Sequence, residues 1–542
     1  MLPNHYFPWA SAWSDGFAIG AIAIATILLG STSRLAYQWS AVGVLVLLIL
    51  LGQNLVGKIF FSGDAVVAAG YVLALCCAAV VGMSLPASEA EADQISSLTV
   101  LGISILATAV ASVGIALLQW TDAASLGIWQ AELPPGQRPF GNVGQPNHLC
   151  TIAFLGICTA GMLLHSKAIG RSGFWIAAAW MALGMVMSGS RTGWVQMACL
   201  LMLVFWAGKR CKLDVSRKSA IWLASTFAVA ALGWPAINTW LLLDRSRPLA
   251  DTASGGTRTA HWWTLLDAIG REPLWGYGWQ QVSVAQLRVA DSHPFVGEQI
   301  EHAHNLVLDL LVWNGIPLGL TLLALTLTWY VSRLRAIQEG RVAWLMLAIT
   351  GLGAHAMLEY PHTYAYFLVP MGLFIGLVDR LQGQAHMVLV PATQTRLVGL
   401  TLAVLLGFMG YDYLQAEQSF RLLRMESAKI GAIGLQTPPP KLLLLNQLEA
   451  YQTFIHTEAR PGMSAEEVDS MRRTAERFAT PPALFRYAQV TGLNGQPDVA
   501  ALTLKKLCLI HPKPRCQEGR DGWLALQSRY PVLLPIAAPE VP

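Results

Sequence analysis

Twelve stretches of this 542-residue chain are apolar for about the length that crosses a bilayer, and they constrain the fold more than any other feature. A spanning helix needs about 20 mainly apolar residues. The chain is 54% hydrophobic and only 13% charged, whereas soluble domains carry about 25% charged residues. We therefore expect an all-α polytopic membrane protein with about 12 transmembrane helices. The predicted spans are 16–33, 37–55, 65–85, 99–119, 148–165, 173–188, 193–208, 219–243, 304–330, 342–358, 363–378 and 396–413.

Basic residues in the short loops predict the orientation of these spans, because lysine and arginine concentrate on the cytoplasmic side. Loop 209–218 carries five basic residues against one Asp214. The loops that contain Arg34, residues 167–171 and residues 333–341 are also basic and fall at alternate connections. The remaining loops, the N-terminus and everything after residue 413 are then predicted to be periplasmic.

The predicted spans divide the chain into four parts. Residues 1–243 are the N-terminal transmembrane helices with a loop at 120–147, and 244–303 form a large periplasmic loop. Residues 304–413 are the C-terminal transmembrane helices, and 414–542 form a helical periplasmic domain. The sequence of that domain predicts a helix–turn–helix unit over 481–509. It resembles tetratricopeptide-like repeats, although it shows no clean repeat period. Cys508 and Cys516 are a candidate disulfide there. No basic tail indicates a nucleic-acid partner.

Two polar clusters next to predicted spans offer donors for sugar or phosphate. In the first, residues 138–148, two glycines and two prolines give an irregular backbone, and Gln145 and Asn147 supply amide groups. The alternative is a capped helix start with Asn147 as N-cap. In the second, Arg191 lies between Ser190 and Thr192. Its guanidinium is suited to gripping a phosphate, or else to reaching a lipid headgroup.

Two further clusters lie in and after the large loop. Residues 254–261 place Arg258 after a Gly-Gly turn, which favours an anion-binding concavity at a helix start, or an ordinary loop. Glu301-His302-Ala303-His304-Asn305 precedes a span. Two histidines at i and i+2 are poor partners for one metal on a helix, and a catalytic base is the more natural role. Tyr360 and His362, in a turn between two spans, are predicted to reach the same cavity.

Five motifs together carry a resemblance to a known family. They are Gly141-Asn-Val-Gly-Gln-Pro-Asn-His148, Ser188-Gly-Ser-Arg-Thr192, His302-Ala-His-Asn-Leu306, Gly315-Ile-Pro-Leu-Gly319 and Leu358-Glu-Tyr-Pro361. The chain resembles the bacterial O-oligosaccharyltransferases of the PglL or PilO type, a branch of the superfamily of O-antigen ligases and Wzy polymerases. The resemblance covers most of residues 15–415, with segment 16–33 similar to the family's second span and a first helix missing or shortened.

The resemblance implies en bloc transfer of a glycan from undecaprenyl pyrophosphate to a serine or threonine of a periplasmic protein such as pilin, at the bacterial inner membrane. It implies no cofactor and no metal. His304, or else His302, would remove the acceptor proton. The residues that would bind the donor pyrophosphate or glycan are Arg191, Arg258, Gln145, Asn147, Tyr360 and Asn305.

Three other activities stay open at the level of sequence. An O-antigen ligase would move glycan to lipid A core, and a Wzy-type polymerase would extend a lipid-linked glycan. The spans and arginines serve all of these, while the Gly-Gln-Pro-Asn-His loop and the C-terminal domain favour a protein acceptor. A transporter would show internal repeats and broken helices at the membrane centre, and the sequence halves do not match.

Overall fold

A computed structural model describes residues 2–5, 7–29, 32–85, 96–243, 245–246, 257–383, 387–428 and 438–542. The chain forms two compact units. The first unit comprises Met1–Val44, Tyr71–Ser254 and Leu325–Leu406, and the second comprises Leu45–Gly70, Gly255–Ala324 and Gly407–Pro542.

Most of the described residues are helical, and each of the twelve predicted spans corresponds to a helix. The helices are α1 Ala12–Ile27, α2 Tyr37–Leu55, α3 Ser62–Ser84, α4 Ser97–Thr121, α5 Pro146–His165, α6 Arg171–Ser188, α7 Arg191–Ala207, α8 Arg217–Trp240, α9 Arg258–Arg271, α10 Val282–Val289, α11 Leu306–Arg335, α12 Gly340–Ala356, α13 Ala365–Gln382, α14 Ala392–Ser427, α15 Asn446–His456, α16 Ala465–Phe478, α17 Pro481–Leu493, α18 Pro497–Ile510 and α19 Lys513–Arg529. Short 3₁₀ turns occupy Gly127–Trp129, Ala290–Ser292, Pro361–Thr363 and Pro531–Leu533.

Eight of the described helices are long and apolar enough to cross a membrane: α2, α3, α4, α5, α8, α11, α13 and α14. The shorter α1 and α7 are also apolar. The prediction of a helical, multi-pass membrane protein is therefore confirmed, while the count of twelve spans stays a prediction.

The first predicted span is displaced along the chain. Helix α1 begins at Ala12 and ends at Ile27 instead of running over 16–33. Residues Thr32–Ala36 form a strand, β1, which pairs antiparallel with β2 at Met387–Pro391. Because the partner strand lies more than 350 residues further on, local apolarity gave no sign that this stretch pairs as a strand.

Helix α5 is the centre of the first unit, and nearly all of its residues are buried. Glycines let its neighbours approach closely: a Cβ on Gly156 would lie 2.7 Å from the Met181 sulfur, and one on Gly161 would lie 2.4 Å from the Trp344 ring. Helices in membranes associate by such small-residue packing, since lipid supplies no hydrophobic drive between them. The core continues through α4, α6, α7, α8, α12 and α13.

The second unit contains the tail domain, which we define as residues 438–542 with α15–α19. Its helices α17 and α18 confirm the predicted helix–turn–helix, with Gly495 in the left-handed conformation at φ 77° between them. Cys508 and Cys516 form the predicted disulfide, with their Cα atoms 4.6 Å apart.

The tail domain packs against the segment between α10 and α11. Leu287 and Ala290 share an apolar cluster with Leu507 and other tail residues. The backbone N–H groups of Val296 and Gly297 both donate to the Leu509 carbonyl at 3.2 Å. Within this unit, the large loop and the tail domain thus form one packed body.

Helix α11 contains a sharp kink at Gly315, which adopts φ 72° and ψ 177° and is followed by Pro317. A Cβ at Gly315 would lie 2.5 Å from the carbonyl carbon of Leu274. The left-handed backbone and this close approach both require glycine. The Gly-Ile-Pro-Leu-Gly motif is therefore explained by a kinked helix with another backbone packed into the bend.

Candidate active site

The loop before α5, in the first unit, is fixed by a buried glutamine. The Gln119 side chain donates to the carbonyls of Ala131 and Gly141 at 2.9 Å each, and it accepts from the N–H groups of Phe140 and Gly141 at 3.0 and 2.7 Å. Gly141 and Gly144 adopt φ 61° and 77°. Four hydrogen bonds to one side chain and two left-handed glycines give this loop a single defined course.

The structure brings Gln145 and Asn147 together with the turn after α12. Gln145 Nε2 donates to the Tyr360 hydroxyl at 3.1 Å, and Asn147 Nδ2 donates to Glu359 Oε1 at 2.7 Å. The alternative that Asn147 caps the helix is wrong. The N-cap position is Gln145, which makes no side-chain cap, and Pro146 occupies the first turn. Asn147 instead satisfies a carboxylate that is buried at 5% exposure.

Arg191 begins α7, directly after a turn that is tied to the same loop. Helix α6 ends at Ser188, and Arg138 Nη1 donates to the carbonyls of Ser188 and Gly189 at 2.8 and 3.1 Å. The Ser190 hydroxyl accepts from the Thr192 N–H at 3.2 Å and caps α7. The half-buried Arg191 therefore emerges from a rigid corner, and its position at a helix N-terminus favours an anionic ligand nearby.

A buried polar network lies behind this loop and was missed in the sequence. His148 Nδ1 is 2.8 Å from the Tyr366 hydroxyl. One turn along α5, the Thr151 hydroxyl is 2.9 Å from His355 Nδ1 and accepts from Gln196 Nε2 at 2.9 Å. Polar side chains in apolar helices are costly unless they are paired. That rule was the available signal, because all five residues lie in predicted spans or at their ends.

The His302–Asn305 turn, in the second unit, is fixed by hydrogen bonds between side chains and both backbone groups of Ala303. The Ala303 N–H donates to Asp309 Oδ1 at 2.8 Å, and the Ala303 carbonyl accepts from Trp262 Nε1 at 2.9 Å. Asn305 Oδ1 accepts from the N–H groups of Val307 and Leu308 at 3.0 and 3.3 Å, which caps the start of α11. His304 adopts the left-handed conformation at φ 51°, an uncommon geometry that concentrates at functional sites.

The two histidines of this turn have different surroundings. His302 is buried, with Nδ1 3.9 Å from a carboxylate oxygen of the fully buried Asp309 and with its ring edge-on to Trp313 at 6.1 Å. His304 is half-buried. His304 is therefore the more open of the two histidines, while His302 is enclosed between a carboxylate and an indole.

Glu298 connects the histidine loop to the start of α9, where Arg258 is the first residue. The Glu298 carboxylate accepts from the Thr257 hydroxyl and lies 3.1 Å from His261 Nε2. The hydrogen bond from His261 lowers the pKa of Glu298 to about 2, with further contributions from Thr257 and from the charge of His304. Glu298 is therefore ionised at neutral pH. The predicted Gly255-Gly256 turn lies outside the described residues.

Three acidic residues that the sequence analysis gave no role accompany the predicted site residues. Glu359 pairs with Asn147, Asp309 with the Ala303 backbone, and Glu298 with the start of α9. Two of them carried a usable signal, since Glu359 belongs to the Leu358-Glu-Tyr-Pro361 motif and a carboxylate inside an apolar span, such as Asp309, is expensive. Glu298 lies in a loop, where a single acidic residue follows no pattern.

Comparisons with known proteins agree with this arrangement. A family model described as O-antigen ligase matches residues 176–323, and one described as the C-terminal part of a virulence factor membrane-bound polymerase matches residues 342–521. A general O-oligosaccharyltransferase of Acinetobacter baylyi is 27% identical over 527 residues, which cover 95% of this chain and 90% of that protein. The chain is thus similar to an O-oligosaccharyltransferase over nearly its whole length, and parts of it match models of the O-antigen ligase superfamily.

A second relative is similar over a shorter stretch. The ComP-specific O-oligosaccharyltransferase of Acinetobacter baylyi is 28% identical over 250 residues, 45% of this chain and 44% of that protein. Both relatives bear out the predicted resemblance to O-oligosaccharyltransferases, which are glycosyltransferases.

Proposed function

We propose that this enzyme transfers a glycan en bloc from undecaprenyl pyrophosphate to a serine or threonine of a periplasmic, pilin-like protein. The acceptor oxygen forms a bond to C1 of the first sugar, and the bond from C1 to the pyrophosphate oxygen breaks. The electron pair of that bond leaves with the pyrophosphate, and the acceptor proton passes to a base. Direct displacement with inversion is the simplest scheme, because it needs no covalent intermediate on the enzyme.

His304 is the base in this proposal, with His302 as the second choice. The observation that carries the assignment is the fixed turn around Ala303, whose N–H and carbonyl are both bonded to side chains. A turn held in this way preorganises its imidazoles, and a positioned base contributes about 10²–10⁴-fold in rate. His304 is preferred because it is half-buried, whereas His302 is enclosed beside Asp309 and Trp313.

Arginines and amides hold the donor. Arg191 and Arg258, each the first residue of a helix, would stabilise charge on the leaving pyrophosphate. Gln145, Asn147 and Tyr360 would orient sugar or phosphate oxygens, and Asn305, as cap of α11, would keep the histidine turn in place. The first three already lie close together, because Gln145 donates to Tyr360 and Asn147 donates to Glu359, the residue before Tyr360.

The membrane arrangement completes the proposal. Twelve spans cross the bacterial inner membrane, and the basic loops, including 209–218, face the cytoplasm. The histidine turn, the large loop and the tail domain then face the periplasm, where the acceptor protein is found. The apolar helices would let the lipid tail of the donor stay in the bilayer while its pyrophosphate reaches the polar loops.

Replacing His304 by alanine tests the base. We expect glycan transfer to fall by about 10²-fold or more, because the acceptor hydroxyl loses its base. The matched control is His456→Ala, a half-buried histidine of the tail domain whose Nδ1 contacts its own helix at the Gln452 carbonyl. Both variants are compared at equal amounts in the membrane. Transfer by His304→Ala at the control's rate would remove the base assignment.

Replacing Arg191 by lysine tests the phosphate grip. Lysine keeps the charge and loses the forked pair of donors, so transfer should fall at least tenfold if both donors bind one phosphate (about 1.4 kcal/mol). Arg217→Lys is the matched control, because Arg217 is likewise the first residue of a helix, α8. Equal activity of the two variants would show that Arg191 only reaches towards lipid headgroups.

The acceptor class is tested by co-expression. A bacterium that makes an undecaprenyl-linked glycan is given this chain and a pilin, and intact-mass and peptide mass spectrometry report the added glycan and its site. Glycosylated pilin with unchanged lipopolysaccharide supports the proposal. Glycan on lipid A core, or longer lipid-linked chains without modified pilin, would support a ligase or a polymerase instead.

A further inference from the structure

Helix α9 of the second unit has an apolar outward face. Trp263 and Leu266, one turn apart, are 66% and 44% exposed, and after the helix Leu274 and Trp275 are 62% and 63% exposed. The opposite side of the helix, including His261 and Leu265, is buried. We call the four exposed residues the α9 patch. Contiguous exposed tryptophan and leucine on a folded domain mark a surface that something covers.

Charged residues near the α9 patch in the sequence and the fold form ion pairs with one another. Asp267 lies 3.0 Å from both Arg271 and His293, and Lys58 lies 3.0 Å from Glu272. The pairing to Arg271 and His293 outweighs burial and keeps the pKa of Asp267 below its usual range. The polar groups at the edge of the patch therefore form their own ion pairs, and the patch itself presents only apolar and aromatic atoms.

The α9 patch continues into the exposed face of a membrane-spanning helix. The Ile316 N–H donates to the Pro273 carbonyl at 2.7 Å, directly beside the patch residues 274–275. Ile316 and Leu320, one turn apart on α11, are 40% and 50% exposed. The kink at Gly315 leaves 316–335 as a mainly apolar helical segment of about 20 residues, the length that crosses a bilayer. Residues 273–275 thus lie beside the first turn of that segment.

We propose that the α9 patch lies in the lipid interface, with its four side chains inserted at the boundary between headgroups and acyl chains. Tryptophan favours this depth, and an amphipathic helix lies in the interface plane with its apolar side down. A second copy of the chain or another protein could cover the patch at any depth relative to the membrane. Lipid can cover it only if the patch lies at the depth where a spanning segment begins.

The inner side of α9 gives this contact a consequence for the enzyme. Trp262 holds the Ala303 carbonyl, and His261 holds Glu298 of the histidine loop. The helix therefore has lipid on one side and the histidine turn on the other. The proposed position of α9 in the interface does not depend on the proposed chemistry.

Site-specific fluorescence in lipid nanodiscs tests the inference. Leu266→Cys and Leu274→Cys are labelled with an environment-sensitive NBD maleimide, which is practical because the six free native thiols are buried or half-buried. Leu502→Cys and Leu534→Cys, at 40% and 63% exposure in the tail domain, are the matched controls. The discs contain phosphatidylethanolamine and phosphatidylglycerol, with or without lipids that carry a nitroxide near the headgroup end of the acyl chain.

We expect blue-shifted emission and several-fold stronger quenching by nitroxide lipid at 266 and 274 than at the controls, which aqueous iodide should quench instead. Two independent positions keep the test valid if one variant fails to accumulate. Quenching by iodide at 266 and 274 to the extent seen at the controls would overturn the inference. Shielding from both quenchers would overturn it too, because a protein would then cover the patch.

Discussion

Replacing Arg477 by methionine should loosen the tail domain, because Arg477 forms a buried ion pair with Asp64 at the start of α3. Arg477 Nε and Nη2 donate to the two Asp64 oxygens at 2.8 and 2.9 Å. The side chains are 12% and 4% exposed. Burial by itself disfavours the charged guanidinium, and the Asp64 carboxylate more than offsets this, so that the pKa of Arg477 is raised. The guanidinium therefore stays charged, and the pair is largely removed from water.

The magnitude follows from what each substitution leaves behind. Arg477→Met leaves a buried carboxylate without its counter-charge, and Asp64→Leu leaves a buried guanidinium; breaking a buried pair in this way costs about 3–5 kcal/mol. The double variant leaves neither charge and can be close to neutral. The exposed pair of Arg515 and Glu518, 59% and 63% exposed at 2.8 Å, is the control. Arg515→Met should cost at most about 1 kcal/mol.

Urea titration of the purified protein in detergent micelles, read by pulse proteolysis of the tail domain, measures these costs. With a slope of about 2 kcal/mol per M, a loss of about 3–5 kcal/mol lowers the midpoint by about 1.5–2.5 M. The double variant of Asp64 and Arg477 should unfold at a higher urea concentration than either single variant. If the two single effects instead add up in the double variant, the residues do not interact, and the docking of α16 beside α3 is refuted.

Two further predictions concern single positions in the second unit. Glu298 has a pKa of about 2 against an ordinary 4.5, so its stabilising effect is complete above pH 4.5 and is lost as the pH falls from 4.5 towards 2. Since the side chain is half exposed, the free energy of unfolding of wild type and Glu298→Gln should differ by only about 1 kcal/mol at pH 6. In thermal unfolding this difference should vanish near pH 2. A difference that grows towards low pH would contradict this sign. Gly315→Ala should lower the unfolding temperature markedly, since φ 72° with ψ 177° is a glycine-only conformation that costs an alanine about 1–3 kcal/mol, and its Cβ would meet the Leu274 carbonyl carbon at 2.5 Å. Gly410→Ala, with open space around its Cβ position, is the control and should be neutral or stabilising.

The helices could be predicted because hydropathy is a local property. Each of twelve apolar stretches became a helix within a few residues of its predicted bounds, apart from the displaced α1 and the longer α14. Strand β1 could not be predicted, because Thr32 pairs with Pro391 and the stretch has no alternating pattern of its own. The tail domain shows the same division, since its helices were visible in the sequence while its packing on Leu287 and Ala290 was not.

The site shows where local rules give way to distant partners. Asn147 has the residue type and position of an N-cap, yet its amide bonds to Glu359, which lies 212 residues away. The predicted shared surface of Gln145 and Tyr360 rests on a bond across 215 residues, and only the order of the family motifs pointed to it. Residue type identified the groups that can do chemistry, and tertiary structure decided what each of them contacts.

The hydrogen bonds to the carboxylates of Glu359, Glu298 and Asp309 have a common physical reason. A donor that carries a pyrophosphate is repelled by any bare carboxylate near its path, so an acidic residue beside the predicted binding groups is tolerable only when its charge is already occupied. Glu359 is occupied by Asn147, Glu298 by Thr257 and His261, and Asp309 by the Ala303 N–H. Each acid fixes the position of a predicted site residue or of the turn that carries one, and its charge is engaged in doing so. Removing one of these donors, as in Asn147→Leu, would therefore do more than release a side chain: it would take one hydrogen-bond donor away from a buried carboxylate in the same unit as Arg191, which is proposed to hold the leaving group.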